Sequence, residues 1–244
     1  MTKLLFIGDI HGKIDVMDLV EKQFPEHQKI FVGDFVDAFD HTRKEQLACV
    51  EKALAMIDKG DTRVILGNHE LSYLVPREMR CTGYAGTMDA MLLPLKSEMW
   101  KKFEHYIWIS EHKLLITHAG LTAYLWKEFE LTLDNLAAKL EEWKHKQWYA
   151  SPNGWIGRAR GGIQPVGGIF WCDFNLEFRP IEGLRQVFGH TGWFDLHQDL
   201  TYGIRKREVA NYCIDCLAKK PSFLSLILRQ TNLILCVLKV MPLW

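Results

Sequence analysis

Short apolar runs recur along the chain, and each is followed at once by glycine and polar residues. The runs span residues 4–7, 30–32, 64–66, 114–116 and 187–188. Each has the length of a strand that is buried on both faces. Between the first three runs, apolar residues repeat at steps of three and four, which predicts helices over residues 15–24 and 43–57. This order of strand, helix, strand, helix, strand predicts an α/β fold with a largely parallel sheet.

The remaining chain predicts further helices, a loop and a terminal pair of strands. Helical patterns cover residues 85–106 and 133–149, whereas the six glycines within residues 154–168 predict a loop. Polar residues interrupt the apolar stretch at 223–244, so a pair of strands is expected there. No linker divides the sequence. We therefore expect a single domain over residues 1–244, with helical cap or insertion segments around 71–112 and 122–160.

Composition and charge exclude several classes of protein. Thirty basic and thirty acidic residues leave a formal net charge of zero. The chain thus lacks the positive field typical of proteins that bind duplex nucleic acid or anionic membranes, and we expect neither partner. Its apolar start is too short for a signal peptide, and six scattered cysteines favour reduced thiols and a cytoplasmic location. Cys213 and Cys216 form a lone CxxC that we interpret as packing residues.

Polar side chains with metal-binding chemistry follow the apolar runs. Because ligands of open α/β sheets collect at the carboxyl ends of the strands, these residues should converge on one crevice. Clustered carboxylates would repel one another, and divalent cations remove that repulsion. Oxygen and imidazole donors without thiolates suit a catalytic site for manganese, iron or zinc. The candidates are Asp9, His11, Asp34, Asp37, Asn68, His69, His118 and His190.

The motifs around these residues resemble those of the calcineurin-like metallophosphoesterase superfamily. The resemblance rests on five motifs in matching order, from Gly8-Asp9-Ile10-His11 to Gly189-His190-Thr191, and covers most of the chain. Taken singly, Asp, Asn and Gly are common turn residues, but the ordered set favours a metal site. The resemblance implies a four-layer α/β/β/α fold, with mixed sheets flanked by helices. It is nearest to the phosphoprotein phosphatase branch and its bacterial and phage relatives.

The resemblance also implies a role for each residue. Asp9 and His11 would bind a first divalent metal, Asp34 would bridge two metals, and a second would be held by Asn68, His118 and His190. Manganese is the expected metal, with iron and zinc as alternatives. His69 would act as general acid, oriented by Asp37, while a metal-activated hydroxide attacks phosphorus.

The sequence departs from the resembled pattern at its phosphate-binding positions. Where the phosphoprotein phosphatases have Arg-Gly, this chain has Ala38 and Phe39, and Asp173 stands where many bacterial members have an arginine after the tryptophan. A replacement anion binder is therefore expected, since guanidinium groups suit phosphate oxygens. The candidates, among which spacing does not choose, are Arg80, Arg158 and Arg160. Gly192 fills the place of a second histidine found in many phosphodiesterases, which disfavours a nuclease.

The expected reaction is hydrolysis of a phosphate monoester, on phosphoserine or phosphothreonine in a protein or on a small phosphorylated compound. The first alternative is a dinucleoside polyphosphate hydrolase of the diadenosine tetraphosphate type, where similar motifs occur. The second is a non-catalytic scaffold with the same fold. Retention of both His69 and Asp37 argues against the scaffold, which has no need of a proton donor.

Overall fold

The chain folds into two five-stranded sheets with helices around them. The computed structural model describes residues 2–146, 150–192, 205–207, 211–215, 222–228 and 233–239. Along the chain the strands are β1 Thr2–Ile7, β2 Gln28–Phe31, β3 Thr62–Val64, β4 Ile107–Ile109, β5 Leu114–Ile116, β6 Arg185–Phe188, β7 Arg205–Arg207, β8 Asn211–Cys213, β9 Ser222–Leu228 and β10 Leu233–Lys239. The helices are α1 Ile14–Gln23, α2 Arg43–Asp58, α3 Asn68–Leu74, α4 Gly86–Leu92, α5 Lys96–Lys102, α6 Ala123–Glu128 and α7 Leu136–Lys144.

The first sheet has the strand order β10-β9-β1-β2-β3. Strands β1, β2 and β3 run parallel, joined by α1 and α2, as the periodicity predicts. Strands β9 and β10 add an antiparallel pair beside β1, which confirms the expected pair of terminal strands. The sheet is therefore mixed, with its parallel half built from the first 64 residues.

The second sheet has the strand order β4-β5-β6-β8-β7. Its central strands β5, β6 and β8 are parallel, and β4 and β7 flank them in the antiparallel direction. The turns that follow β5 and β6 carry His118 and His190, just as those after β1 and β2 carry Asp9 and Asp34. Both sheets thus supply strand ends to the candidate site.

An apolar core holds the two sheets face to face. Phe6 and Ile30 of the first sheet share one buried cluster with Ile116 and Val187 of the second. Alternate residues of β1 and β2, such as Leu5 and Phe31, point the other way and pack under the helices. Because these strands are covered on both faces, their sequences are continuously apolar rather than alternating. The expected α/β class with mixed sheets flanked by helices is confirmed.

Helix α2 begins at a capping box. The Thr42 side chain accepts the backbone N–H of Glu45, and the Glu45 carboxylate accepts the backbone N–H of Thr42. These bonds satisfy backbone donors that the first helical turn leaves unpaired. The start of α2 fixes the path of the loop that carries Asp37 into the site.

The expected helix over residues 85–106 is wrong in detail, because two short helices replace it. Helices α4 and α5 are separated by a turn at Leu93 to Leu95. Pro94 at the centre of this turn has no backbone N–H to donate to a continuing helix. The expected helix over 133–149 begins only at Leu136, and residues 147–149 lie outside the described part of the chain, as do Cys216 and the end of the 223–244 segment.

Candidate metal centre

Several candidate residues of the site have a strained backbone conformation. Among the described residues, six non-glycine residues have positive φ, and four of these are site candidates, namely His11, Asp34, Asp37 and His190. Such conformations cost about 1–3 kcal/mol each and persist where the surrounding structure holds them. The turns after β1, β2 and β6 therefore aim these side chains at a common crevice.

Asp34 lies at the middle of the candidate centre. Its carboxylate accepts the backbone N–H of His69 at 3.1 Å and lies 3.3 Å from Nε2 of His118 and 3.8 Å from Nε2 of His11. Burial alone would raise the pKa of Asp34, but the charges of His118 and His69 outweigh it and hold this pKa well below its usual value. Asp34 is therefore an ionised oxygen donor that faces histidines on two sides.

His118, Asn68 and His190 converge on one point beside Asp34. Nδ1 of His118 donates to the carbonyl oxygen of Val32 at 2.7 Å, so Nε2 carries the lone pair of the neutral ring. That Nε2 lies 2.7 Å from Oδ1 of Asn68 and 3.1 Å from Nδ1 of His190. Two acceptors face each other at hydrogen-bond distance, which requires a proton or a metal ion between them.

The raised pKa of His118 also shows that its surroundings favour a positive charge. Burial would lower this pKa, but the carboxylate of Asp34 raises it to about 9. Nε2 of His190 is buried without a hydrogen-bond partner among the described residues. Burial and the neighbouring His118 hold the pKa of His190 well below its usual value. Neutral imidazole is the form that binds metals, so this donor set fits a divalent cation.

His11 and His69 approach Asp34 from the opposite side. Nδ1 of His11 donates to the carbonyl oxygen of Val36 at 2.7 Å, a bond that leaves Nε2 as the acceptor. Burial lowers the pKa of His11 to about 4, so the ring is neutral at pH 7. Donor atoms of His11, Asp34 and His69 lie within 4.8 Å of one another, as do those of Asp34, His118 and His190. Asp34 is common to both clusters, which is the position of a bridging ligand.

Asp9 lies at the edge of this arrangement. Its two carboxylate oxygens accept the backbone N–H of His190 at 3.1 and 3.0 Å, and its side chain belongs to neither donor cluster. Burial, together with the carboxylates of Asp215 and Asp34, raises the pKa of Asp9 well above its usual value. This crowding of acidic groups is the repulsion that a cation relieves.

His69, Asp37 and Tyr73 form a hydrogen-bonded chain. Nδ1 of His69 bonds to one carboxylate oxygen of Asp37 at 2.8 Å, and the hydroxyl of Tyr73 donates to the other. The backbone N–H of Asp37 donates to Oε1 of Gln46 at 2.7 Å. Burial would lower the pKa of His69, but the carboxylates of Asp34 and Asp37 raise it to about 9. Asp37 thus holds His69 in one orientation, and the charges of Asp34 and Asp37 favour its protonated form.

Glu70 and Tyr73 are site residues to which the sequence gives no role. The buried carboxylate of Glu70 accepts the backbone N–H groups of Asp34, Phe35 and Gly67 at 2.8, 2.7 and 3.0 Å. It therefore fixes the turn that presents Asp34. Glu70 stands in the Asn68-His69-Glu70 motif, which was its only signal, whereas nothing in the sequence marks Tyr73.

Of the three candidate arginines, Arg160 contacts the turn that carries His190. Its guanidinium donates to Asp173 and to the hydroxyl of Thr191, both at 3.0 Å, and Thr191 directly follows His190. Its charge acts on the pKa of His190, and its buried Nε has no partner among the described residues. Asp173, which stands where relatives have an arginine, therefore holds an arginine from another loop.

The other two arginines lie in more exposed positions. Arg158 is exposed on the glycine-rich loop. Arg80 is also exposed, with its Nε donating to the carbonyl oxygen of Pro76 and its guanidinium 4.9 Å from the centre of the Tyr84 ring.

The part of the loop that bears Arg160 is fixed by Glu177, whose carboxylate accepts the backbone N–H groups of Ala159 and Gly167.

Two facing mixed sheets with oxygen and imidazole donors at their strand ends define the class of this protein as a phosphoric ester hydrolase that uses metal ions. The model of the calcineurin-like phosphoesterase family matches residues 2–194. The chain therefore belongs to the calcineurin-like phosphoesterase family, and the expectation from the motifs is confirmed.

The chain is similar to individual proteins, to one in sequence and to others in structure. A symmetrical bis(5'-nucleosyl)-tetraphosphatase of Ralstonia nicotianae is 25% identical over 217 residues, which cover 81% of this chain and 75% of the relative. A protein serine/threonine phosphatase of Saccharomyces cerevisiae, with similarity to human phosphatase PP5, has a similar structure, with a TM-score of 0.52. The match covers 99% of this chain and 81% of that chain at 16% identity, so it shows the fold alone.

A putative diadenosine tetraphosphatase is a weaker structural match, with a TM-score of 0.45 and 14% identity over 97% of this chain and 93% of that chain.

Within the described residues, no helix is both long and apolar enough to cross a bilayer.

Proposed function

We propose that the chain hydrolyses phosphate monoesters, on phosphoserine or phosphothreonine in a protein or on a small phosphorylated compound, with two divalent cations. The observation that carries this proposal is the convergence of Asn68, His118 and His190 on ionised Asp34, with acceptor atoms facing one another. Asp34 would also bind a second cation together with His11, which lies on its other side, and with Asp9. Manganese is the proposed metal, with iron and zinc as alternatives, because oxygen and imidazole donors suit all three.

The cations would supply neutralisation of the buried carboxylates and activation of a water molecule toward phosphorus. The residues of the chain set the geometry for this chemistry. His11 and His118 each donate Nδ1–H to a backbone carbonyl, which fixes both rings with Nε2 toward Asp34. Such outer hydrogen bonds orient metal-binding histidines and select their tautomer.

His69 is the proposed general acid. Because Nδ1 of His69 is held by Asp37, Nε2 is the atom that would donate a proton to the oxygen leaving phosphorus. Asp37 and Tyr73 act as positioning residues, since they hold the ring rather than the substrate. A histidine that is protonated at neutral pH and oriented by a carboxylate is a competent proton donor.

Arg160 is the proposed phosphate-binding arginine. Asp173 and Thr191 hold its guanidinium beside His190, where its positive charge acts on that ring. Arg160 would thus supply the positive charge that Ala38 and Asp173 cannot.

A second candidate function is hydrolysis of dinucleoside polyphosphates. It is supported by the Ralstonia relative, whose name gives that activity. Both candidates use the same donors and the same acid, but the attacked phosphorus of a monoester carries one ester group, whereas that of a dinucleoside polyphosphate carries a nucleotide on each side. The scaffold alternative is disfavoured because Tyr73 and Gln46 are additional residues that position Asp37 for His69.

The test is hydrolysis by the purified chain with added manganese, measured as release of phosphate from the monoesters and as release of ADP from diadenosine tetraphosphate. Three substrates separate the candidates: p-nitrophenyl phosphate, a phosphoserine peptide and diadenosine tetraphosphate. Hydrolysis of the first two supports the monoesterase, and selective hydrolysis of the third supports the second candidate. The absence of any manganese-dependent hydrolysis would leave the scaffold as the remaining explanation.

A further inference from the structure

A cavity of about 460 Å³ opens directly beside the residue that orients the general acid. Its wall includes Asp37, Phe39, His41, Arg43 and Gly83. Asp37 connects the cavity to His69 through their 2.8 Å hydrogen bond. The cavity therefore lies on the Nδ1 side of His69 and meets the candidate site at Asp37.

The cavity is also close to the first metal-binding turn. A Cβ atom placed on Gly12 would lie 2.7 Å from Cβ of His41, so the loop that carries His41 packs on the turn of Asp9 and His11. On the other wall, a Cβ atom on Gly83 would lie 2.9 Å from Cβ of Asp37. The cavity is therefore bounded by parts of the candidate centre on two sides.

Two side chains of this cavity are exposed and take little part in packing or in ion pairs among the described residues. The Phe39 ring is 86% exposed, although it belongs to a chain that buries most of its phenylalanines. Arg43 is exposed and forms no ion pair with any residue that the structure describes, although its charge acts on the hydroxyl of Tyr73. An exposed aromatic ring and a nearby guanidinium together suit a flat, neutral ring that is linked to a negatively charged group.

We propose that this cavity binds a nucleoside diphosphate part of the substrate, with its base stacked on Phe39 and its phosphate chain near Arg43. The inference rests on the proposed function and favours the second of its substrate classes. A phosphoserine or phosphothreonine side chain leaves with a small aliphatic hydroxyl, which would use neither the ring nor the guanidinium. Phe39 stands where the resembled enzymes have no aromatic side chain, so the cavity would set substrate choice in this chain.

The experiment measures binding by isothermal titration of the full chain in manganese buffer. The probes are ADP, pyrophosphate and a phosphoserine peptide. ADP should bind more tightly than pyrophosphate, because only ADP carries a base. Phe39→Ala should weaken ADP binding about tenfold, as expected for loss of one base stacked on an aromatic ring, and Phe39→Trp should restore it. Arg43→Ala should weaken ADP and pyrophosphate alike.

The matched control is Leu93→Ala, a truncation of another exposed apolar side chain that does not line the cavity. This variant should bind all three probes as the wild type does. Equal affinity of the wild type for ADP and pyrophosphate would overturn the inference, as would a Phe39→Ala variant that binds ADP normally. Tighter binding of the phosphopeptide than of ADP would assign the cavity to a protein substrate instead.

The result of this binding experiment can be distinguished from the result of the test of the proposed function. Binding does not require turnover, and p-nitrophenyl phosphate hydrolysis on the same samples reports the chemistry independently. Hydrolysis without base-dependent ADP binding removes the cavity inference alone, whereas ADP binding without hydrolysis removes the proposed function alone.

Discussion

His69 has the most restrained side chain among the residues proposed to act on the substrate. Its ring is tied to Asp37, which in turn is tied to Tyr73 and Gln46, and its backbone N–H donates to Asp34. A histidine with a purely structural role would not need this many hydrogen-bonded residues to hold its ring. The arrangement favours a role in which the position of Nε2 decides the rate.

Replacement of His69 by asparagine tests the proposed acid. We expect kcat to fall by about 10²–10⁴-fold while the metal content stays unchanged, because the proton donor is lost and the other donors remain. Steady-state kinetics and metal analysis of the same sample measure both. His145→Asn, at a side chain that is 72% exposed, is the control and should keep full activity. Unchanged kcat in His69→Asn would remove this residue from the mechanism.

Replacement of Arg160 by methionine tests the proposed phosphate grip. Loss of a charged hydrogen bond costs about 1.5–3 kcal/mol, so KM for p-nitrophenyl phosphate should rise about tenfold or more. Arg158→Met, two residues away at an exposed position, should leave KM nearly unchanged. A larger rise in the Arg158 variant than in the Arg160 variant would contradict the assignment.

The sequence predicts some of these residues better than others. Asp34, Asn68 and His118 are predictable because each follows directly after a buried strand. The preference for Arg160 is not predictable, because it depends on a contact with Asp173 that only folding brings about. Tyr73 is likewise hidden, since a tyrosine on an apolar helix is typical of packing.

At the level of elements, the turns after β2 and β3 are held together by the carboxylate of Glu70. Glu70, in the first turn of α3, accepts backbone N–H groups from two separate segments, one at Asp34 and Phe35 and the other at Gly67. Helix α3 therefore fastens the turn after β2 to the turn after β3. This contact aligns the proposed bridging ligand with Asn68, the first residue of the same helix.

Replacement of Glu70 by glutamine should loosen this junction. A neutral amide oxygen accepts more weakly than a carboxylate, so we expect a loss of about 2 kcal/mol in the free energy of unfolding. Urea denaturation measures the loss. Glu51→Gln, at an exposed position on α2, is the control and should unfold like the wild type. Equal stability of the two variants would show that Glu70 does not fasten the turns.

His105 gives the segment before β4 a dependence on pH. Its ring packs edge-on against Trp100 and Phe170, and burial lowers its pKa from 6.5 to about 4. The unfolded chain therefore binds more protons than the folded chain between these values. This contribution to stability is complete above pH 6.5 and is lost as the pH falls toward 4, by about 3 kcal/mol in all.

The variant His105→Phe keeps an aromatic ring but removes the titrating group. Its free energy of unfolding should fall less than that of the wild type between pH 6.5 and 4, with the difference measured by urea denaturation at several pH values. Parallel pH profiles for the two proteins would contradict this account.

The elements themselves follow from periodicity where the chain is long and regular. Strand β1 and helix α2 are predictable because their apolar positions repeat over many residues. The segment from 85 to 106 is not, because the apolar repeat continues across Pro94 while the backbone cannot. Short strands such as β4, with three residues, carry too few positions for a pattern.

At the scale of the whole molecule, two sheets bring distant parts of the sequence to one crevice. Asp9 and His190 lie 181 positions apart, yet the backbone N–H of one donates to the carboxylate of the other. The order of the motifs predicts that Asp9 and Asp34 share one edge, because β1 and β2 belong to one sheet, whereas His190 follows a strand of the other sheet and meets Asp9 because the two sheets pack face to face. The pairing of the sheets through Phe6 and Val187 is not visible in any local pattern, because both faces of these strands are apolar.

The central claim is that this crevice holds two cations on either side of Asp34. The most direct measurement is anomalous diffraction from crystals of the manganese-loaded chain. The account predicts two anomalous peaks, one between His11 and Asp34 and one among Asn68, His118 and His190. No peak at these positions, or a single peak that Asp34 does not touch, would contradict it.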